Sequence, residues 1–212
     1  MLLGPAGIAI FDLDGTLVDS VEDIRLAANS VRTEVGANHL TRAAIEPLIG
    51  HPATRLFDDL PSDPEVLVRR FRHILADITG THTQVFPCVK TLLGWLIDAG
   101  WMLAVATNKP SDLATTVLDR TQLLDYFDLV QGAEQLSPKP APDIVNAVLG
   151  DRAWATAVMI GDTAMDVIAG RACGISTIAV LSGSHSRNEI ESSGPDLIVD
   201  SLCDLMPSAT SK

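Results

Sequence analysis

Ile8-Ala9-Ile10-Phe11-Asp12-Leu13-Asp14-Gly15-Thr16 opens as a short apolar run and closes in a turn sequence. A run of this kind, ended by an Asp-Gly pair, predicts a buried strand that leads into a loop. The same pattern recurs where Met102 to Ala106 leads into Thr107-Asn108, and where Ala157 to Ile160 leads into Gly161-Asp162. Further strands are expected at Leu129-Val130, Thr177 to Leu181 and Leu197 to Val199. Helical patterns lie between them: Thr91 to Ala99 closed by Gly100, Asp112 to Leu118, Pro142 to Leu149, and Ala164 to Cys173 closed by Gly174. Strand alternating with helix from about residue 88 onward predicts an α/β fold, with βαβ units and a parallel sheet covered on both faces.

The stretch from Val18 to Phe86 reads differently, with no convincing strand. Ser20 is placed to cap a helix whose apolar positions Val21, Ile24, Ala28, Val31 and Val35 recur at steps of three and four, with Gly36 as its stop. Asp19 joins Ser20 as an expected capping residue. Thr41 would cap a second helix, and Asp63-Pro64 would start a third, running from Glu65 to about Thr79. The predicted division is therefore a core of residues 1–17 and 87–212, with a helical insert at 18–86. The tail from Ser208 to Lys212 is of low complexity.

Among 212 residues, 47% are apolar and aromatics are few, so the chain can bury a core built mostly of Ala, Leu, Ile and Val. A net charge of −12 repels nucleic acid and anionic lipid, so neither is expected as a partner. An anionic small substrate would need positive charge concentrated locally. Three cysteines, Cys88, Cys173 and Cys203, without a short pairing pattern, argue against a disulfide framework and suggest ordinary small apolar residues. Met1 to Pro5 lacks the pattern of a secretory leader, and no apolar run is long enough to span a bilayer, so the cytoplasm is the default location. Monomer and homodimer both stay open.

Residues two apart in a strand share a face, so Asp12 and Asp14 are expected to project together where the first strand ends. Paired carboxylates repel each other unless one is protonated or a cation lies among them. Asp162 and Asp166, four apart at the start of a helix, form a second acidic pair. Open parallel sheets bind ligands beyond the carboxyl ends of their strands, and both pairs fall at such ends. Four carboxylates gathered there call for a hard divalent cation, with Mg²⁺ the usual choice. That suits phosphate chemistry, for which Thr107, Asn108 and Lys139 offer a hydroxyl, backbone N–H groups and an ammonium.

In this order the segments D-L-D-G-T (Asp12 to Thr16), A-T-N (Ala106 to Asn108), S-P-K-P around Lys139 and G-D-T-A-M-D (Gly161 to Asp166) resemble the four signature motifs of the haloacid dehalogenase superfamily. F-D-L-D-G-T-L-V-D-S, T-N-K-P and P-K-P-A-P-D look most like its phosphoglycolate-phosphatase-like members. The resemblance covers essentially the whole chain. It implies a Rossmann-like sheet with a helical cap inserted after the first motif. By the same resemblance Asp12 would be the nucleophile and a metal ligand. Asp14 would be the acid and base, with its backbone carbonyl on Mg²⁺. Thr107 and Lys139 would hold phosphoryl oxygens, and Asp162 and Asp166 would ligate the metal.

The segment Ile49 to Arg55 resembles the part of the cap that faces the active site, so His51 and Arg55 are candidates for binding a carboxylate or a second phosphate. Arg69-Arg70-Phe71-Arg72-His73 reads as a solvated helix face, and Lys109 either adds field near the phosphate or points to solvent. The implied activity is a Mg²⁺-dependent phosphatase for a small metabolite, with phosphoglycolate leading; pyrophosphate, nucleotides and sugar or amino-sugar phosphates are alternatives. A sugar-phosphate mutase of the β-phosphoglucomutase kind shares the core. Against it, Thr16 stands where those mutases commonly show valine, and Thr107 where they commonly use serine. Asp14 disfavours a dehalogenase. The absence of any lysine from 18–86 disfavours phosphonoacetaldehyde-type chemistry.

Overall fold

The computed structural model describes residues 6–207, so the start at Met1 to Pro5 and the tail at Ser208 to Lys212 lie outside the described residues. Strand β1 (Ile8–Phe11) is wholly buried at the centre of a six-stranded parallel sheet. The other strands are β4 (Met102–Ala106), β5 (Leu129–Gln131), β6 (Ala157–Gly161), β7 (Ser176–Val180) and β8 (Leu197–Val199). Their order is β5-β4-β1-β6-β7-β8. Phe11 stands in register with Val105 on one side and Ile160 on the other, which aligns the ends of the three central strands.

Each strand is apolar throughout because both its faces are covered. Ala9, Phe11, Leu103, Val105, Val158 and Ile160 face one layer, where α4 (Val89–Asp98) and α5 (Ser111–Arg120) contribute Leu92, Leu93, Leu96 and Val117. Ile8, Ile10, Ala104, Ala106 and Met159 face the other, against Ile144, Val145 and Val148 of α6 (Asp143–Leu149) and Ala169 of α7 (Ala164–Ala172). The Rossmann-like α/β reading of the sequence is what the chain forms.

The inserted segment carries α1 (Val21–Glu34), α2 (Arg42–Ile45) and α3 (Pro64–Ile78) around a second hydrophobic cluster, which also takes in Leu113 of α5. Val21, Ala28 and Val31 are buried, as their spacing predicts, and Gly36 ends the run at a φ of 70°. Val35 lies just past the helix and is exposed. Thr41 and Asp63 accept hydrogen bonds from Ala44 N and Glu65 N, as helix caps do.

Two expectations fail at the ends of this segment. It does contain strands: β2 (Val18–Asp19) and β3 (Gln84–Val85) pair antiparallel, so the chain leaves and re-enters the core through one ribbon. Two residues show no periodicity, and the ribbon exists only because its ends meet in space. Ser20 occupies the capping position of α1, but its hydroxyl makes no capping bond and donates instead to Asp14. Asp19 does accept from Val21 N. The joint is fixed from inside by Asp23, buried on α1, which accepts from His82 N at 2.9 Å and Thr83 Oγ1 at 2.6 Å.

The cysteine reading also needs correction. Cys88, at the start of α4, is joined by a disulfide to Cys203 near the carboxyl end, 115 residues away, with Cα atoms 5.3 Å apart. Only Cys173 is free. An odd count excludes a fully paired framework but not one bridge, and a partner so distant in sequence leaves no local spacing to detect. Among the described residues, no helix is long and apolar enough to cross a membrane.

Closing a loop of this size removes unfolded-chain entropy, worth about 2–4 kcal/mol in typical cases. Cys203→Ser is therefore expected to lower the urea midpoint under non-reducing conditions. The difference should vanish in dithiothreitol, and equal midpoints without reductant would show that the bridge contributes nothing.

Candidate active site

The chain runs from β1 outward to β4 and β5, then returns past β1 to β6 and continues to β7 and β8. The connections after β1 and β6 thus diverge, and a crevice opens beyond their carboxyl ends, where open α/β sheets bind ligands. Asp12 follows β1 and Asp162 follows β6, each the first residue past its strand. The two are held side by side, since Asp12 N donates to Ile160 O at 2.9 Å.

Lys139 enters from the loop before α6 and is 4% exposed. Its Nζ donates to Asp12 Oδ1 at 2.7 Å, to Ala106 O at 2.7 Å and to Asp166 Oδ1. Asp166 lies in the first turn of α7, where its Oδ2 accepts from Thr163 N and Thr163 Oγ1 and closes a capping box. Asp162 accepts from Thr16 Oγ1 at 2.8 Å and from Ser184 N at 3.2 Å. Asp12, Asp162 and Asp166 each offer an oxygen within 4.8 Å of the others, and all three are buried.

Burial, with repulsion from Asp166 and Asp14, pushes Asp12 up to about 6 despite the pull of Lys139. Burial together with Asp12 and Asp166 lifts Asp162 well above the ordinary carboxylate range. Burial alone would lower Lys139, but Asp12 and Asp166 outweigh it and hold its pKa up. Three ionised carboxylates against one ammonium leave two negative charges in excess. An oxygen-only donor set with that surplus fits a hard divalent cation.

Asp14 stands apart from this cluster. Its Oδ1 accepts from Lys109 Nζ at 2.7 Å and from Ser20, so three carboxylates converge in mutual contact rather than the four anticipated. Lys109 is buried in that ion pair, which resolves its two possible orientations. Thr107 is buried and lines the cavity over Asp12; its Oγ1 accepts from Lys109 N at 3.2 Å. The Asn108 side chain binds protein: it donates to Gly50 O and Lys139 O, and accepts from Lys139 N at 2.7 Å.

The loop after β7 contributes residues that the sequence reading passed over. Ser182 Oγ donates to Gly15 O, and Gly183 packs so tightly that a Cβ there would lie 1.7 Å from Asp162 Oδ2. Gly15, at a φ of 93°, has the same constraint, its hypothetical Cβ 2.4 Å from that oxygen. Ser182-Gly183-Ser184 follows a strand as the recognised motifs do, and that placement was the available signal.

A cavity of about 460 Å³ opens from Asp12, Asp14, Thr107 and Lys139 toward α1 and α3. His51 lines it, half-buried, with its ring stacked 5.9 Å from that of His185. Burial, with repulsion from His185 and Arg55, lowers the His51 pKa. Arg55 is exposed and is not among the residues that wall the cavity, whereas Arg72 of α3 is. The solvated-face reading of 69–73 thus holds only in part, because Phe71 is buried and also meets the cavity.

Residues 9–180 match the family model for haloacid dehalogenase-like hydrolases. A probable phosphatase, IndB, from Dickeya dadantii is 33% identical, over 95% of this chain and 93% of that protein. A phosphoglycolate phosphatase from Nitrosococcus oceani is 30% identical over 97% and 96%. The haloacid dehalogenase-like protein SP0104 from Streptococcus pneumoniae superposes with a TM-score of 0.85 at 25% identity, over 94% of this chain and 96% of that one.

Gly15→Ala is expected to displace the Asp162 carboxylate and to weaken divalent-cation binding at least tenfold by calorimetry; unchanged affinity would contradict the crowding argument. A second expectation concerns pH. Asp12 rises from 3.8 to about 6, so the folded metal-free protein holds a proton between those values that the unfolded chain releases. Stability from this group is present at low pH and is lost as pH climbs through 6. Cation binding needs the ionised carboxylate, so Mg²⁺ affinity should fall below about pH 6 with proton release on binding. Calorimetry in buffers of different ionisation enthalpy reads that proton, and pH-independent affinity would refute the assignment.

Proposed function

Since the chain belongs to the haloacid dehalogenase-like hydrolases and is a phosphatase, we propose that it hydrolyses a small phosphate monoester through an aspartyl-phosphate on Asp12, with Mg²⁺ as cofactor. The observation that carries this reading is the placement of Asp12: it lies at the sheet's switch point and on the cavity wall, with one oxygen held by Lys139.

The Asp12 carboxylate attacks phosphorus, and the P–O bond to the alcohol breaks. Lys139, whose three donors go to Asp12, Ala106 O and Asp166, orients Asp12 and adds positive charge beside the phosphoryl oxygens, and the Thr107 hydroxyl on the cavity wall donates to them. Asp14, on the same wall, gives a proton to the departing oxygen. It then takes one from the water that cleaves the acyl phosphate and returns Asp12 free. Mg²⁺, held by Asp12, Asp162, Asp166 and the carbonyl of Asp14, would neutralise phosphoryl charge. Asn108 positions the Lys139 loop rather than the substrate.

Residues 18–86 act as a cap that excludes water and meets the leaving group, since that segment forms the far wall of the cavity and bonds to the core at Gly50. His51 meets the substrate from that wall. Phosphoglycolate, for which the Nitrosococcus oceani relative is named, is the reference compound for the chain's own preference.

Asp12→Asn is expected to lower phosphate release by about a thousandfold or more while phosphate ligands still bind, and EDTA should remove the wild-type rate. Undiminished turnover in either case would sink the mechanism.

A further inference from the structure

The phosphoryl chemistry accounts for one end of the cavity and leaves most of it unassigned. Its volume, about 460 Å³, falls in the range of roughly 300–1,000 Å³ that encloses drug-sized ligands. Glycolate adds only about five heavy atoms to the phosphoryl group, so it would leave much of such a pocket to water.

Much of the wall beyond the phosphoryl end is apolar. Ile24 of α1 and Leu48 and Ala53 of the connecting turns line it half-buried, together with Leu56 and, on α3, Val68, Phe71 and Leu75, each at most 5% exposed. The space therefore borders the hydrophobic cluster of the helical segment.

Cations that could receive a carboxylate are few on these walls. Lys139 is engaged by Asp12 and Asp166, and Lys109 by Asp14. Burial and its neighbours favour the neutral form of His51. Arg72 sits exposed at the rim, with Glu65 of the same helix also on the wall and Glu134 opposite. An anionic leaving group would meet hydrocarbon and two carboxylates for the sake of one exposed guanidinium.

We infer that the preferred substrate is a phosphate monoester of an uncharged, largely apolar alcohol, larger than glycolate, whose hydrocarbon body lies along the wall formed by Ile24, Leu48 and Ala53. This rests on the phosphatase reading and specifies its substrate class. Burial of hydrocarbon along that wall, rather than an ion pair, would set the selectivity.

The test is a series of n-alkyl phosphates from ethyl to hexyl, whose leaving groups differ little in acidity, assayed beside phosphoglycolate with Mg²⁺ present. Each added methylene is expected to raise kcat/KM about threefold, chiefly through KM. Hexyl phosphate should surpass phosphoglycolate. Leu48→Trp, which fills the cavity from its half-buried wall, should abolish the gain with chain length. Arg72→Ala should leave hexyl phosphate unaffected. A flat series, or phosphoglycolate preferred and lost in Arg72→Ala, would overturn the inference with the phosphatase reading intact. Alkylphosphonates of the same lengths, titrated by calorimetry, separate the two claims. If no ester were hydrolysed, the phosphatase reading would fail, while affinity rising or not rising with length would still decide the cavity's preference.

Discussion

One ammonium set among three carboxylates organises the site. Lys139 directs its three donors to Asp12 after β1, to the Ala106 carbonyl at the end of β4, and to Asp166 in the first turn of α7. A single side chain thus ties together the carboxyl ends of two neighbouring strands and a helix that follows a third. The arrangement is electrostatically incomplete, because burial penalises the ionised carboxylates and one positive charge does not balance them. An incomplete balance of that kind suits a site whose working state includes further charge. It is weak evidence for stability, which the apolar layers on both faces of the sheet supply instead.

Much of this was legible in the sequence, for a physical reason. Strands buried on both faces must be apolar throughout, so an aspartate, threonine or glycine immediately after such a run marks the strand's carboxyl end and the site at once. Asp12, Thr107 and Asp162 were found that way. Lys139 lies in a loop with no such frame, and only its place in the series of motifs drew attention to it. Contacts between distant segments stayed hidden. Nothing local to Lys109 specifies an ion pair with Asp14, and nothing in Ser182-Gly183-Ser184 announces that it clamps Asp162. The Cys88–Cys203 bridge and the β2–β3 ribbon are hidden for the same reason. Arg55 and Arg72 show the limit of charge patterns. Both are cations on helical turns, and only the orientation of each turn in the fold decides which one meets the cavity.

The joint between the helical segment and the core divides the chemistry in two. Lys139 is bonded to Asp12 and Asp166, and Asp162 to Thr16 and Ser184, all of them core residues. Asp14 is different, since one of its partners, Lys109, is in the core and the other, Ser20, begins the helical segment. Near the cavity the two bodies also meet through the Asn108–Gly50 hydrogen bond and the stacked rings of His51 and His185. Each polar contact of this kind is worth about 0.5–1.5 kcal/mol net, and Leu113 of α5, buried in the helical segment's cluster, and the Arg120–Thr79 hydrogen bond add to the joint. Of these acidic residues, Asp14 is the one whose partners lie on both sides of that joint, whereas Asp12, Asp162 and Asp166 are held within the core. On the proposed mechanism, Asp14 is the group that must act twice, once as an acid and once as a base. The fold places that residue at the joint and keeps Asp12, Lys139, Asp162 and Asp166 beyond the carboxyl ends of the sheet's central strands.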